Sequence, residues 1–304
     1  MELKENERLD DLGINNLKIL QNKNYFCFGF DSVMLANNVK SNSSNNVILD
    51  LCSGSGVISV IISAKVKSKK IIAVELQDAM FDLLKTNIHI NNLENKIVAL
   101  NENITNVNSI RKKIIDETGN GVVDVIVCNP PYKESGTGCV NPDDIKYIAR
   151  HEVFCKLEDV FCTSSKLLNN KGELYLVHKP ERLTDLLVIA RKYNLEPKEL
   201  TFIQPTDDKK PSIVLLKYVK NGGNEINVRK TIIEYDKNGD YTDEICKIYG
   251  IDTNQARAAV DVTTYEDSED DEYYIVLKKK GWKYEYSVAV KINSGEINQS
   301  AISE

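Results

Sequence analysis

The chain has 304 residues, of which 42% are hydrophobic and 28% are charged, and its mean hydropathy is −0.32. This composition is typical of a globular protein with one large domain and a small appendage or with two modest domains, and no apolar run could cross a membrane. Most of the net charge of −6 lies in the tail, because residues 251–304 carry 11 acidic and 6 basic residues while residues 1–250 carry 34 and 33. The nearly neutral main part permits a local basic face.

The cysteines and histidines argue against a disulfide framework and against a metal site. Seven cysteines are scattered without a Cys-x-x-Cys pair, and there are three histidines. An odd, irregular set of cysteines in a chain without a secretion signal predicts reduced thiols, a cytoplasmic protein and no metal site.

The first 40 residues predict an N-terminal cap. Leu12–Asn22 is typical of a short strand or hairpin, and the following block holds four aromatic residues within six positions. Asp31 after it is a good N-cap for a helix over Ser32–Val39. We interpret the aromatic block as a hydrophobic lid on the sheet edge; the alternative is that Phe28 to Ser32 line one end of a cofactor.

A glycine turn follows the first buried strand. Val47–Leu51 predicts that strand, and Cys52–Gly56 predicts a turn into a helix that begins at Val57. Glycines and a helix N-terminus let backbone N–H groups approach a nucleotide. Ser59 stands where a dinucleotide fingerprint has its third glycine, which counts against NAD or FAD.

The next two strands end on polar side chains. Glu75 follows the strand Lys70–Val74 and is placed to accept hydrogen bonds from both hydroxyls of a ribose. Ile97–Leu100 predicts a third strand, after which Asn103 can bind an adenine amino group, with Glu102 as the competing residue and an ordinary polar loop as the alternative.

The apolar run Val122–Cys128 predicts a strand buried on both faces, and it stops at Asn129. Pro130 and Pro131 cannot continue the strand, so the chain turns outward at the edge where open α/β sheets bind ligands.

Asn-Pro-Pro-Tyr fits one chemistry. The lone pair of an exocyclic amino nitrogen or an amide nitrogen is delocalised, so the nitrogen is a poor nucleophile. The Asn129 side-chain oxygen and the carbonyl of Pro130, held rigid by Pro131, can accept both N–H bonds and favour a tetrahedral nitrogen that faces an electrophile. Tyr132 offers a ring on which a planar base can stack. The alternative is a proline turn with a packing tyrosine.

The remaining elements predict how the sheet closes. The polar, glycine-rich segment Lys133–Tyr147 is interpreted as a substrate loop or lid, and a helix is expected from Ile148 to Leu168. After a fifth strand (171–178) and a helix (183–193), two strands (198–204 and 212–218) follow without a helix between them, which predicts a closing antiparallel hairpin.

These motifs carry a family resemblance. Asp50–Gly56, Glu75 and Asn129–Tyr132, in this order at strand ends, resemble the amino-group-modifying S-adenosylmethionine-dependent methyltransferases. A closer resemblance, over roughly Leu12 to Gly250, is to the bacterial valine-tRNA adenine-N6 methyltransferase family, which modifies adenine-37 next to the anticodon. Four further segments carry it: Phe26–Val33, Ala149–Glu152, His178–Leu183 and Tyr241–Glu244.

The resemblance implies a fold, a cofactor and a partner. The fold is an α/β, Rossmann-like, seven-stranded class I methyltransferase sheet, mostly parallel with a C-terminal antiparallel hairpin. The cofactor is S-adenosylmethionine, and the partner is tRNA through its anticodon loop. Asn129, Pro130, Pro131 and Tyr132 would act on the target adenine.

The residues and the resemblance together give two sets of candidate binding residues. The cofactor would contact Phe28, Asp31, Asp50, Cys52, Ser53, Gly54, Gly56, Glu75, Asn103 and Asn129. The chain departs from the common pattern at Cys52, commonly a glycine, and at Asn103, more usually an aspartate. Candidates for RNA contacts, with solvated surface charges as the alternative, are Arg150, His151, Lys179, Arg182, Lys209 and Lys210.

Two other functions stay open. Release-factor glutamine methyltransferases also use Asn-Pro-Pro-Tyr, but they normally carry a long helical domain before the glycine turn, and 46 residues precede Val47 here. A non-catalytic RNA- or cofactor-binding module is the second alternative, against which the intact Asn129 and Tyr132 argue.

We therefore expect a cap (1–40), a methyltransferase domain (41–250) and an appendage (251–304). In the appendage, the acidic run Glu266–Glu272 predicts a solvated linker, and strands are expected at Tyr273–Leu277, Trp282–Lys291 and Glu296–Ile302. This mainly β segment resembles a piece of a PepSY-type domain; an unrelated β-meander is the alternative.

Overall fold

The computed structural model describes residues 3–41, 43–132, 155–250, 260–267, 272–279 and 288–292. The chain divides into two compact units, Met1–Glu234 and Tyr235–Glu304. The division expected at residues 40 and 250 stays a prediction. Within the described ranges, no helix combines the length and the apolar composition needed to cross a membrane.

The chain begins with the predicted hairpin. Strands β1 (Glu7–Asp11) and β2 (Lys18–Asn22) pair antiparallel, and helix α1 follows over Phe30–Asn38. The prediction that Asp31 caps this helix is wrong, because Gly29 occupies the N-cap and Asp31 lies in the first turn. The Asp31 carboxylate instead accepts hydrogen bonds from the backbone N–H of Ser32 and from side chains that are distant in the sequence.

A large sheet with alternating helices forms the body of the first unit. Its seven main strands are β3 (Val47–Leu51), β4 (Lys70–Glu75), β5 (Ile97–Asn101), β6 (Val123–Cys128), β7 (Leu168–His178), β8 (Leu195–Gln204) and β9 (Ile213–Lys220). The helices between them are α2 (Val57–Lys65), α3 (Asp78–Ile90), α4 (Val107–Thr118), α5 (Leu157–Leu167) and α6 (Leu183–Lys192).

The order of the strands is β8-β9-β7-β6-β3-β4-β5. Strand β9 is antiparallel to both of its neighbours, and the other main pairs are parallel. Two short strands, β10 (Asn227–Val228) and β11 (Ile232–Ile233), run parallel to β8 and complete a nine-stranded sheet. The prediction of a mostly parallel sheet closed by an antiparallel hairpin is confirmed.

The chain order reverses between β3 and β6, which are hydrogen-bonded neighbours. All five residues of β3 are buried, as are five of the six residues in β4 and in β6. Such strands read as continuous apolar runs because helices cover both faces of a parallel sheet. At a switch point of this kind the two connecting helices lie on opposite faces, and a crevice opens at the carboxyl ends of the strands.

The helix expected from Ile148 to Leu168 is shorter than predicted. Lys156 is extended, and the Asp159 carboxylate accepts a hydrogen bond from its backbone N–H, so α5 begins at Leu157. Residues 148–154 and the loop Lys133–Tyr147 lie outside the described residues.

Gly56 is the position at which the glycine turn tolerates no side chain. It is the N-cap of α2 with φ +86°, and a Cβ would lie 2.4 Å from Cδ1 of the buried Leu84 in α3. We expect Gly56→Ala to lower the free energy of unfolding by about 1–3 kcal/mol, chiefly through the left-handed backbone. Gly223 has open space around it and no left-handed φ, so Gly223→Ala is the matched control. Urea denaturation measures the free energy of unfolding of both variants. Equal losses in the two would show that Gly56 is not specially restricted.

The second unit contains one helix and three strands in its described part. Helix α7 (Asp243–Tyr249) is capped by Thr242, whose Oγ1 accepts the Ile245 N–H. Strands β12 (Val260–Asp267), β13 (Glu272–Lys279) and β14 (Val288–Ile292) form an antiparallel meander.

The acidic run is not the continuous linker that the sequence predicts. Glu266 and Asp267 end β12, and Glu272 opens β13. The described part of the expected strand Trp282–Lys291 begins at Val288, and the strand expected at Glu296–Ile302 falls outside the described residues.

Candidate active site

A cavity that opens to solvent lies at the carboxyl ends of β3, β4 and β6. Eight of the residues that the sequence assigned to a site line its wall: Phe28, Cys52, Ser53, Gly54, Glu75, Asn103, Asn129 and Pro131. The glycine turn, the acid after the second strand and the Asn-Pro-Pro-Tyr segment therefore surround one space.

Glu75 is held at the wall by two backbone groups. Its Oε2 accepts the Gly54 N–H at 2.8 Å, and its Oε1 accepts the Gln77 N–H at 2.8 Å. The side chain is buried, and this burial raises the pKa of Glu75 to about 7. Each carboxylate oxygen keeps a further lone pair, so the group can accept two hydroxyl donors from a ligand.

Two more polar atoms of the wall lack partners within the described part of the chain. Ser53 Oγ and Gln77 Oε1 are buried, and no described group hydrogen-bonds to either. Because buried polar atoms are almost always paired, both fit a site that a polar ligand completes. Gln77 was not among the site residues predicted from the sequence. Its position two residues after Glu75, at the N-cap of α3, could have indicated that it lies near the same ligand.

Asn103 lies on the wall and its competitor Glu102 does not. The Asn103 Oδ1 atom accepts the Thr105 N–H at 2.9 Å and the Thr105 hydroxyl at 2.8 Å. The Glu102 carboxylate accepts the Asn103 N–H and the Asn106 amide. The assignment of Asn103 to an adenine amino group stays a prediction.

Two predicted cofactor residues support the turn from outside the cavity wall. Asp50 is fully buried, and its Oδ2 accepts the Ser59 hydroxyl at 2.6 Å. Its Oδ1 has no partner among the described residues. Ser59, which replaces the third glycine of a dinucleotide fingerprint, therefore anchors Asp50, while Gly56 admits the packing of Leu84.

Burial raises the pKa of Asp50 to about 7, which makes stability depend on pH. The folded state binds the Asp50 proton more tightly than the unfolded chain does. Protonation of Asp50 therefore stabilises the folded state at low pH, and this contribution is lost progressively until pH has risen through about 7. A shift of this size corresponds to about 4 kcal/mol. We expect Asp50→Asn, which keeps an acceptor for Ser59, to raise Tm by about 5–10 °C at pH 8 and by roughly a third of that at pH 5.

The exposed Asp116 provides the control for this change. Asp116→Asn should leave the pH profile of Tm unchanged in scanning calorimetry. A gain for Asp50→Asn of equal size at both pH values would show that charge burial is not its cause.

A buried asparagine, Asn87 on α3, connects the N-terminal hairpin to the site. Its amide exchanges hydrogen bonds with the backbone of Leu20 and donates to the carbonyl of Ser55. Gln21 of β2 in turn accepts the Phe28 N–H at 3.0 Å. The hairpin thus positions the aromatic block, from which Phe26 and Phe28 reach the cavity wall.

Asn129 and Tyr132 form one hydrogen-bonded network with the first turn of α1. The Tyr132 hydroxyl lies 2.6 Å from Asn129 Oδ1 and 2.5 Å from Asp31 Oδ2. The Asn129 Nδ2 donates to Ser32 Oγ at 3.0 Å and to Asp31 Oδ2 at 3.3 Å. Asp31, predicted to bind the cofactor, therefore contacts the Asn-Pro-Pro-Tyr segment and is absent from the wall, whereas Phe28 and Ser32, at the two ends of the stretch that the alternative interpretation placed along a cofactor, both lie on it.

Tyr132 has one hydroxyl proton for two nearby acceptors. Burial and the Asp31 carboxylate raise the pKa of Tyr132 well above its ordinary value, so the proton stays on the residue. A hydrogen bond to a carboxylate is about twice as strong as one to a neutral amide oxygen. The proton is thus directed to Asp31, which leaves the lone pairs of Asn129 Oδ1 for another donor.

The ring of Tyr132 is flanked by the residues that end β7. The His178 ring meets it edge-on with centroids 5.0 Å apart, and Lys179 Nζ lies 5.7 Å from the Tyr132 centroid. Burial lowers the pKa of His178 to about 4, so the imidazole is neutral at pH 7. Pro130, two residues before Tyr132, is buried.

The basic candidates differ in their placement. Lys179 lies at the motif and also donates to the Ser212 carbonyl at 3.2 Å. Arg182 forms an ion pair with Asp185, 2.6 Å from Nε to Oδ2. Lys209 and Lys210 are exposed in the turn between β8 and β9. Arg150 and His151 lie outside the described residues.

Other residues on the wall had no signal in the sequence. Met80 and Cys155 both line it. Met80 follows the apolar pattern of α3, which is typical of a core residue, and Cys155 is one of the scattered cysteines. Only the folded chain brings them to the cavity.

Comparisons with known proteins identify relatives of this chain. The family model described as the TRM5/TYW2 methyltransferase domain matches residues 25–127. A tRNA1(Val) (adenine(37)-N6)-methyltransferase of Porphyromonas gingivalis is 29% identical over 167 residues, which are 55% of this chain and 63% of that protein. The chain thus spans somewhat less than two thirds of this relative.

A release factor glutamine methyltransferase of Clostridium botulinum is 27% identical over 140 residues, covering 44% of this chain and 47% of that protein. Among solved structures, a predicted O-methyltransferase from Agrobacterium tumefaciens superposes with a TM-score of 0.56 at 18% identity, covering 76% of this chain and 98% of that one. The resemblance expected from the sequence motifs is confirmed: the chain has a class I methyltransferase fold and is a relative of the bacterial tRNA1(Val) (adenine(37)-N6)-methyltransferases.

Proposed function

We propose that this chain transfers the methyl group of S-adenosylmethionine to N6 of an adenine in tRNA, at adenine-37 of a valine tRNA as in the names of its relatives. The observation that carries the proposal is the Asn129 amide oxygen, kept available at the wall of the cavity that also holds Glu75 and Gly54. Expected partners are tRNA through its anticodon loop and the cofactor.

The cavity suits the cofactor in its donor set. Glu75 supplies acceptors for a ribose diol, and Gly54 N–H and Ser53 Oγ are polar groups at the glycine turn. The apolar side chains of Met80 and Ile104 on the wall provide surfaces for an adenine ring. When bound, S-adenosylmethionine supplies a methyl group that its sulfonium makes electrophilic.

Asn129 makes the adenine amino group nucleophilic. Its Oδ1 and the Pro130 carbonyl accept the two N–H bonds of N6, so the nitrogen becomes tetrahedral and its lone pair points at the methyl group. Fixed acceptors also hold the reacting atoms in line, which supplies much of the acceleration. The methylated nitrogen carries a positive charge and releases one proton to solvent, so no dedicated general base is required.

Tyr132 and Lys179 present the base and its backbone. An adenine in an anticodon loop is already unpaired, so placing it against the Tyr132 ring costs only unstacking, about a few kcal/mol. Lys179, beside that ring, can pair with a phosphate of the same loop.

The test is methyl transfer from labelled S-adenosylmethionine to unmodified tRNA pools, followed by nucleoside analysis. We expect N6-methyladenosine in a valine tRNA. The similarity to a release factor glutamine methyltransferase makes a release factor the second substrate to assay. Label in the release factor alone would overturn the RNA assignment and keep the chemistry; cofactor binding without transfer to either substrate would favour a binding module.

Asp31 and Tyr132 should act through Asn129. We expect Tyr132→Phe and Asp31→Asn each to lower kcat by about 10–30-fold, because either change alters the hydrogen bonding of the Asn129 amide, while the Kd for the cofactor stays within threefold. The double variant should be no worse than the poorer single variant, since both act on one network. Single-turnover assays and calorimetric titration measure these quantities. A large rise in Kd for Asp31→Asn would instead place Asp31 on the cofactor.

A further inference from the structure

Three thiols meet at the cavity, although the sequence separates them widely. Cys52 of the glycine turn and Cys155 before α5 both line the wall, and their Sγ atoms lie 3.7 Å apart. Cys128, the last residue of β6, is fully buried and adjoins Cys52 from behind the wall. The proposed methyl transfer uses none of the three sulfur atoms.

Cys52 occupies a backbone conformation that favours glycine. Its φ is +60°, in the left-handed region, which costs a residue with a Cβ about 1–2 kcal/mol. Glycine is common at this position in the wider methyltransferase class and would carry no such cost. A strained residue at a ligand cavity points to a role for its side chain, and here that side chain is a thiol facing a second thiol.

The surroundings of Cys52 favour its reactive form. Hydrogen bonds from the Cys128 and Cys155 thiols hold the pKa of Cys52 well below its ordinary value, whereas burial raises the pKa of Cys128. The thiolate is the form of cysteine that attacks peroxides and disulfides.

We propose that Cys52 and Cys155 are a peroxide-reactive thiol pair that closes to a disulfide on the wall of the cofactor cavity. The Cys52 thiolate attacks a hydroperoxide: an S–O bond forms, the O–O bond breaks, and an alkoxide or hydroxide leaves with the electron pair. The Cys155 thiol then attacks the Cys52 sulfenic acid; an S–S bond forms, the S–O bond breaks, and the oxygen leaves with both protons as water. Two electrons pass from the thiol pair to the peroxide.

The geometry selects Cys155 over Cys128 as the second thiol. The Sγ atoms must move together by roughly 1.6 Å, from 3.7 Å to a bond length of about 2.05 Å. Cys155 lies outside regular secondary structure and is half-buried, so it can make this movement. Cys128 is fixed in β6 between β3 and β7, opposite Leu51 in the register.

Closure would disturb the cofactor site. Cys52 belongs to the same turn as Gly54, whose N–H holds Glu75. Pulling Cys52 toward Cys155 therefore displaces the donors that face the cofactor, and we expect the oxidised chain to bind S-adenosylhomocysteine at least tenfold more weakly. This consequence depends on the proposed cofactor site, whereas formation of the disulfide does not.

The experiment treats the reduced full-length chain with hydrogen peroxide, alkylates the remaining thiols and maps disulfides by non-reducing peptide mass spectrometry. A Cys52–Cys155 peptide that dithiothreitol removes is the expected result, and S-adenosylhomocysteine should slow its formation. Cys155→Ser should eliminate it. Cys162→Ser, which changes a thiol on α5 away from the cavity wall, should leave it intact.

Pairing of Cys52 with Cys128, oxidation of Cys52 without a cross-link, or an unreactive Cys52 would each overturn the assignment. The wild-type map alone decides among these, so the test does not depend on how the variants fold. The titration of S-adenosylhomocysteine before and after oxidation, with recovery in dithiothreitol, tests the consequence. Failure of tRNA methylation by the reduced chain, while peroxide still produces the Cys52–Cys155 disulfide, would overturn the proposed function and leave the thiol pair standing.

Discussion

Asn129→Ala is expected to lower kcat for methyl transfer by about 10²–10³-fold while changing the Kd of S-adenosylmethionine by less than tenfold. The alanine removes an acceptor aimed at the amino group only when its lone pair turns toward the methyl donor, so the loss falls on the transition state. The control is Asn120→Ala, which truncates an exposed asparagine in the turn before β6. Retention of kcat within fivefold would show that Asn129 is not the acceptor.

Asn129→Asp keeps the acceptor oxygen of residue 129 but removes the amide donor that holds it in place. The carboxylate keeps an oxygen at the Oδ1 position, but it loses the donor to Ser32 and faces Asp31 Oδ2, which lies 3.3 Å from the native nitrogen. Like charges at this distance repel, so we expect the variant to be nearly as inactive as Asn129→Ala. Adding Asp31→Asn again gives the pair of residues 31 and 129 one amide donor and one negative charge, as in the wild type. The double variant should therefore recover activity by about tenfold. No recovery would mean that Asp31 does not position residue 129.

The sequence predicted the framework because its signals are local. The β-branched runs at Val47–Leu51 and Val122–Cys128 form buried parallel strands, and each ends on the group that the sheet edge exposes. The order of Gly54, Glu75 and Asn129 along the chain was sufficient to place them around one cavity, since parallel strands align their carboxyl ends.

The sequence could not predict contacts between distant segments. Asp31 was read as a helix cap from its neighbours, yet its carboxylate binds Tyr132, 101 residues away. Asp50 was placed on the cofactor by resemblance, whereas its buried carboxylate accepts the hydroxyl of Ser59, which lies nine residues later in the first turn of α2. Cys155 carried no pattern at all, because its neighbour Cys52 lies 103 residues earlier. Such pairs depend on tertiary packing, which periodicity and spacing do not encode.

Glu75→Ala is expected to raise the Kd of S-adenosylmethionine by about 10²-fold, with kcat at saturating cofactor within threefold of wild type. The change removes both acceptors for the ribose hydroxyls and the partner of the Gly54 N–H, and hydrogen bonds to a charged group contribute about 1.5–3 kcal/mol. Glu94→Ala, at an exposed site in the turn between α3 and β5, is the control. Isothermal titration gives the Kd values.

The pKa of Glu75 adds a second signature to the same site. The apo carboxyl has a pKa of about 7, and hydroxyl donors bind its ionised form better, so cofactor binding must lower that pKa. Only about a tenth of the apo chain is ionised at Glu75 at pH 6, against about nine tenths at pH 8. Affinity should therefore rise roughly ninefold from pH 6 to pH 8, with proton release on binding, and Glu75→Gln should flatten the profile. A profile that persists in Glu75→Gln would assign the titration to Asp50 and remove Glu75 as the ribose acceptor.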